Sequence, residues 1–319
     1  MYRLHDLLFC GVKSGPRQLA NRPVSLQPSM TMISSELIQH VSGTLYERAL
    51  QRIPVDTHRA LEKARDGEPG ESARRTLMMM VESADTAERD RVLVCSDVGI
   101  PVYSVKVGTR ARLEGPLREA INRGYEAFLQ RMDPPILKMV THPLTHARSH
   151  TGRDIPILSF DMVDGDDGLD IVCAPKAMGS GRWEELKTFV YPTMEEIESY
   201  VLEVVVRAGS QPCPPIVVGV GIGGSFDHAA RLAKQQVLRP IGEAHPEPAV
   251  AAMEARLLAA VNALGFGPMG LGGQAGAMAV NVEYAGSHGF MPVAVALNCW
   301  INRRTAARID AGGHVQWRL

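Results

Sequence analysis

One stretch limits this chain's fold more than any other: Gln211-Pro-Cys-Pro-Pro-Ile-Val-Val-Gly-Val-Gly-Ile-Gly-Gly-Ser-Phe-Asp-His-Ala-Ala-Arg-Leu-Ala-Lys234. It reads as strand, glycine turn and helix. Ile216 to Val218 is a β-branched run suited to a buried strand. Gly219, Gly221, Gly223 and Gly224 allow a tight turn and a close backbone approach. Asp227 to Val237 carries an amphipathic helical pattern, with Ser225 or Asp227 as its cap. Cys213 stands ahead of the strand among Pro212, Pro214 and Pro215, which stiffen the segment.

Three uses of this stretch compete. Gly219, Gly221 and Gly224 match the G-x-G-x-x-G dinucleotide fingerprint, and Glu243 lies near the spacing of a ribose-binding acid. That reading makes the chain a nucleotide-binding oxidoreductase and leaves Cys213 unexplained. In the second, Cys213 is a metal ligand, and Gly223 and Gly224 bring helix N–H groups towards an anionic substrate. In the third, the glycines only pack a turn.

Composition narrows the classes. The chain has 319 residues, 45% of them hydrophobic and 22% charged, with a net charge of −1. That balance gives no electrostatic basis for nucleic-acid binding. No apolar run is read as reaching membrane-spanning length. Cys10, Cys95, Cys173, Cys213 and Cys299 are few, odd in number and widely spread, unlike a secreted disulfide scaffold. A reducing, cytoplasmic setting is expected. Residues 1–31 are basic and aperiodic, and read as a leader or disordered tail ahead of one domain over 32–319.

Patterning predicts helices over 35–51, 56–63 and 71–84, an N-terminal helical layer. Helices are also expected over 113–132, 194–208 with Thr193 as cap, and 246–264. Strands are expected over 92–95, 101–107, 155–162, 169–174, 277–284 and 293–298. Residues 176–182 read as a loop and those after Cys299 as a short tail. Helices and strands do not alternate cleanly, so the class is α+β: mixed sheets covered by helices, with the site at strand edges.

Cys95, Cys213 and Cys299 each lie at a predicted strand end or start, beside Gly or Pro in the first two cases, where sites gather. Three converging thiolates suit an iron–sulfur cluster with one open iron; taken singly, each reads first as a buried thiol. Asp97, two residues from Cys95, is a candidate proton donor or acceptor, or a turn former. Arg148 in a histidine-rich loop is a candidate carboxylate anchor, and His288 a candidate proton carrier.

Five ordered motifs then make a resemblance: Cys95-x-Asp97-x-Gly99, Gly209-Ser-x-Pro-Cys213-Pro-Pro, the glycine stretch to Lys234, Gly267-Pro-Met-Gly-Leu-Gly-Gly273, and His288-x-x-x-Pro292 running to Cys299. From about residue 34 to 308 the chain resembles the α subunit of the class I fumarase and L(+)-tartrate dehydratase family of iron–sulfur hydro-lyases. The resemblance implies a 4Fe–4S cluster on Cys95, Cys213 and Cys299 and reversible hydration of a small dicarboxylate. It also implies that Asp97, Arg148 and His288 face the substrate. Lys138 stands in a loop where the family usually has arginine. The loops at 150–156 and 175–182 depart from the family pattern, so fumarate/malate and tartrate both remain as substrates. A relative that binds a cluster without catalysis also remains. Single-chain members continue into a second domain, so a separate β subunit is expected to complete the site, in a dimer of heterodimers.

Overall fold

The computed structural model describes residues 32–318. The expected leader, with Cys10, lies outside the described residues.

The first sheet grows from the alternating run Val102–Gly108 (β1), whose odd members Tyr103 and Val105 are buried. Strand order is β11-β10-β5-β1-β4, with β4 Ile157–Val163, β5 Leu169–Cys173, β10 Thr305–Ile309 and β11 Val315–Arg318. Only β1 and β4 pair in parallel. One face is covered by α1 Ser35–Gln51 and α4 Leu117–Arg131. Tyr46 and Phe128 pack there with Tyr103, Ile171 and Cys173. The "short tail" after Cys299 is therefore two paired strands. Thr305 to Ile309 is buried except Arg308, and its register runs along β5.

The second sheet has order β6-β9-β7-β8, from β6 Glu185–Val190, β7 Ile216–Gly223, β8 Ala277–Ala285 and β9 Phe290–Asn298. α6 Met194–Ala208 and α8 Pro248–Ala263 cover one face through Val204, Val205, Leu257 and Val261. Thr193 closes a capping box: its hydroxyl accepts from the Glu196 N–H at 3.2 Å and its own N–H donates to Glu196 Oε2 at 2.7 Å. α7 Phe226–Gln236 covers the other face.

The glycine stretch departs from its sequence reading. Gly219 and Gly221 lie inside β7, not in a turn. With Val217 they form the strand face under α7. A Cβ on Gly219 would meet the Ala233 carbonyl at 2.3 Å, and one on Gly221 the Ala229 carbonyl at 2.1 Å. The glycines let helix and strand touch, backbone to backbone. A dinucleotide turn would need them after the strand, so the nucleotide-binding alternative loses its structural basis.

α2 Val55–Gly67 and α3 Glu71–Asp90 pack on a third apolar cluster with Trp300 and Ile301. The strand expected at 92–95 is absent. α3 runs to Asp90 and ends at left-handed Arg91, after which Val94 bonds only the Leu50 carbonyl at 2.9 Å. The loop at 176–182 contains one short turn of helix, α5 Met178–Gly181. β2 Val140–Thr141 and β3 Arg148–Ser149 form a small hairpin. Residues 248–270 are long and apolar enough to cross a membrane by length and composition, contrary to the sequence expectation. Within α8, Glu254 is buried and paired with Arg239, and Leu257 and Val261 pack on the sheet, while much of the rest of the helix is not buried.

Candidate active site

Antiparallel pairing of β7 and β9 sets Val217 opposite Asn298. Cys213, just before β7, thus meets Cys299, just after β9, and the Trp300 N–H donates to the Cys213 carbonyl at 3.1 Å. Cys95 arrives on the segment leaving α3. All three thiols are half-buried and pack on the cluster of Trp300, Ile301 and Ala275. The Cys213 thiol is pushed above its usual range, first by burial, then by neighbouring Cys299, Cys95 and Asp97. Cys173 is fully buried elsewhere, in the core beneath α1 and α4.

Among the described residues, no three His, Cys, Asp or Glu side chains are arranged to hold a single metal ion. Three neighbouring thiols are the ligand type that an iron–sulfur cluster takes, its ligands being spread over several irons.

Beside the thiols lies a cavity of about 860 Å³. One wall is the face of β1 and β4 turned away from α1 and α4, with Ser104 and Ser159. Another is α7, with Arg231 and Lys234. The wall reaches Ser96, next to Cys95, and Asn298, next to Cys299. Asp97, Lys138 and Arg148 all line it.

The Asp97 carboxylate accepts from the Gly99 N–H and the Met178 N–H, each at 3.0 Å, and buried Arg303 donates to the Asp97 carbonyl at 2.5 Å. Both the turn-forming and the site reading therefore apply to Asp97. Lys138 and Arg148 have no carboxylate partner among the described residues, whereas Arg231 pairs with Asp161 and Lys234 with Glu184. The cavity thus offers two free cations.

His288, Gly223 and Gly224 are not brought to this cavity. His288 precedes β9, Gly223 ends β7 and Gly224 follows it, so all three lie at the end of the sheet opposite Cys213 and Cys299. Nine residues of β9 span roughly 30 Å at about 3.3 Å each. Gly224 donates to the Gly286 carbonyl at 3.2 Å, and Ser225 caps α7 without a side-chain bond to its backbone.

Sequence reasoning missed Lys176. Its side chain is 15% exposed and paired with Glu184 at 2.7 Å. Burial, reinforced by nearby Lys234, lowers its pKa to about 8 against the opposing pull of Glu184. Residues 176–182 read as a glycine-bearing loop departing from the family pattern, and nothing in that reading marked a buried lysine.

Three neighbouring thiols, a cavity with two cations and a fixed carboxylate therefore lie together in one region of the fold. Comparison with known proteins identifies the family. Residues 39–308 match the family model of fumarate hydratase (fumerase). The chain is 36% identical over 280 residues to a Methanocaldococcus jannaschii protein provisionally named L(+)-tartrate dehydratase subunit alpha, covering 85% of this chain and 97% of that one. It is 31% identical over 266 residues to the L(+)-tartrate dehydratase subunit alpha of Escherichia coli strain UTI89, covering 82% and 86%. The chain belongs to the class I fumarase family and is a hydro-lyase.

Proposed function

We propose that this chain is the α subunit of a 4Fe–4S hydro-lyase that removes water from, or adds it to, a hydroxy-dicarboxylate. Cys95, Cys213 and Cys299 would hold the cluster. The observation that carries the reading is adjacency: the residues next to two of the three thiols, Ser96 and Asn298, are walls of the cavity that presents Lys138 and Arg148. When bound, the cluster supplies a Lewis acid for the leaving hydroxyl.

The chain's own groups do the rest on this side of the substrate. Lys138 and Arg148 attract and orient carboxylates, Arg148 with a planar fork suited to two-point binding. Asp97 is held by two backbone N–H donors, and each oxygen keeps capacity to accept a further hydrogen bond. It is placed to receive or return the proton of the hydroxyl or water. Ser104 and Ser159, 3.2 Å apart on the wall, offer hydroxyls to a substrate with a second alcohol. Together with the relatives' names, they favour a tartrate-type dihydroxy acid over malate.

Two free cations and one carboxylate leave the opposite face of the substrate without an acid or base. The relatives carry the name of alpha subunits. A β subunit docking over the cavity would supply that face and exclude water, which strengthens each charge contact. A dimer of such heterodimers is the expected assembly. The test is anaerobic reconstitution with iron and sulfide, followed by assay of L(+)-tartrate, malate and fumarate with and without the β subunit. Iron uptake with turnover only in the pair is the expected result. Full turnover by the lone chain would overturn the divided site, and no iron uptake would overturn the cluster.

A further inference from the structure

Lys176 is bonded both to the segment that follows Cys95 and to the end of the strand that leads into Cys299, beside the direct Arg303–Asp97 bond. Its backbone N–H donates to the Ile100 carbonyl at 2.9 Å, and its carbonyl accepts from the Ile100 N–H at 3.0 Å. That bridge anchors the segment running from Cys95 through Asp97 to Ile100. The fit allows no side chain at Gly99, where φ is +68° and an added Cβ would lie 2.7 Å from the Lys176 carbonyl. The Lys176 ammonium reaches the other way. It donates to the Leu297 carbonyl, to Asn298 Oδ1 at 3.2 Å and to Glu184 Oε1 at 2.7 Å. Leu297 and Asn298 end β9 and lead directly into Cys299.

An ammonium has three N–H donors, and here all three have protein acceptors. A cation that lines a cavity for an anion invites assignment as a carboxylate anchor, but this one has no donor left to offer. Lys138 and Arg148, with no such partners, fit that task. Lys176 is also largely withdrawn from water, so breaking its contacts would leave buried carbonyl and carboxylate oxygens unpaired.

We infer that Lys176 is a positioning residue: it clamps the Cys95–Ile100 segment to the end of β9 and so sets the separation of the Cys95 and Cys299 thiols. This rests on the reading that these thiols hold the cluster only for its consequence, not for its geometry. If the clamp holds, the thiol spacing is built into the chain before any iron arrives.

The test works first on the metal-free full chain. With Cys10, Cys173 and Cys213 changed to Ser, Cys95 and Cys299 are the remaining thiols, and a short bis-maleimide reports how often they come within reach. Lys176→Met should lower the cross-linking yield several-fold, and Lys176→Arg should recover much of it. Lys234→Met removes another partner of Glu184 but touches neither segment, and should leave the yield unchanged. Should Lys176→Met fail to fold by circular dichroism, Asn298→Ala removes a single acceptor and should lower the yield by a smaller factor. The second readout uses the otherwise wild-type chain loaded anaerobically. Lys176→Met should alter the electron paramagnetic resonance signature of the reduced cluster, which a general loss of stability would diminish without changing its shape. Unchanged cross-linking in both folded variants would overturn the clamp. Absence of iron in the unmutated chain would instead overturn the cluster, while the cross-linking still decides the clamp.

Discussion

At one end of the β7–β9 pair, Cys213 and Cys299 meet in a half-buried apolar setting with Cys95, joined by backbone bonds and walled by Trp300 and Ile301. At the other end, His288 is exposed beside Phe290, with which it stacks at 6.1 Å between ring centroids. Tyr191 and Phe226, 79% and 66% exposed, stand on the neighbouring strand and helix ends. Both ends carry residues that sequence motifs had grouped into one site. The difference shows what antiparallel pairing does to such a group. It unites Cys213 with Cys299, far apart along the chain, and separates Cys299 from His288, which lies just across one strand from it. Proximity in a motif is not proximity in a site when a full strand runs between the residues.

The largest expected effect breaks one end and spares the other. Cys213→Ser or Cys299→Ser should abolish iron retention after anaerobic reconstitution. His288→Ala should leave iron content and visible absorbance as in the unmutated chain. Loss of iron in His288→Ala would mean that the two ends are not separate.

The next effect concerns turnover. Asp97→Asn should keep the iron and lower turnover by about 10²–10⁴-fold in the assembled enzyme, the usual contribution of a positioned acid or base. The amide keeps one acceptor oxygen, so one of the Gly99 and Met178 contacts survives while the other is weakened. Unchanged turnover measured beside unchanged iron content would reduce Asp97 to a turn former.

Stability offers a third comparison. Gly221→Ala places a Cβ against the Ala229 carbonyl, and overpacking of this kind costs about 1–3 kcal/mol. Gly286→Ala, beyond β8 at the exposed end, has nothing within 4 Å of the new Cβ and should leave the denaturation midpoint nearly unchanged. Urea denaturation of the two variants measures the contrast.

The smallest effect falls in the other sheet and serves as a control. Arg308 holds Asp166 at 2.5 Å and 2.9 Å, and the N–H groups of Asp167 and Gly168 add to it, so this carboxyl sits well below its ordinary range. A depressed folded pKa means that the unfolded chain binds the proton more readily. The resulting stabilisation is complete above the unfolded value near pH 4 and is lost as pH falls below it. Asp166→Asn should therefore cost about 1 kcal/mol or less at neutral pH and flatten the acid limb of stability below about pH 4. It should leave iron binding intact, as followed by melting at stepped pH and by iron analysis.

Much of the fold was legible because it is local. α1 matched its predicted span, and Thr193 with Glu196 announced the start of α6. β8 and β9 followed from their apolar runs. The glycine stretch was misread for an instructive reason. Val217, Gly219, Gly221 and Gly223 recur every second residue, the period of a strand face, yet glycine signals turn so strongly that the period was passed over. A strand facing a tightly seated helix needs small residues at that period, and Ala229 and Ala233 of α7 are the complementary signal.

By itself, the sequence determined the α+β class, the Thr193 cap, the thiols and the ordered motifs that mark the family, since each depends on residue type and short spacing. Only the tertiary structure decided that Thr305–Ile309 joins β5, that His288 stands a strand's length from Cys299, and that Asp97, Lys138 and Arg148 share one cavity. It alone revealed Lys176 as a tie between two distant segments. Strand partners and buried ion pairs are chosen by groups many residues away, and a lysine with every donor occupied has the same letter as one free in solvent.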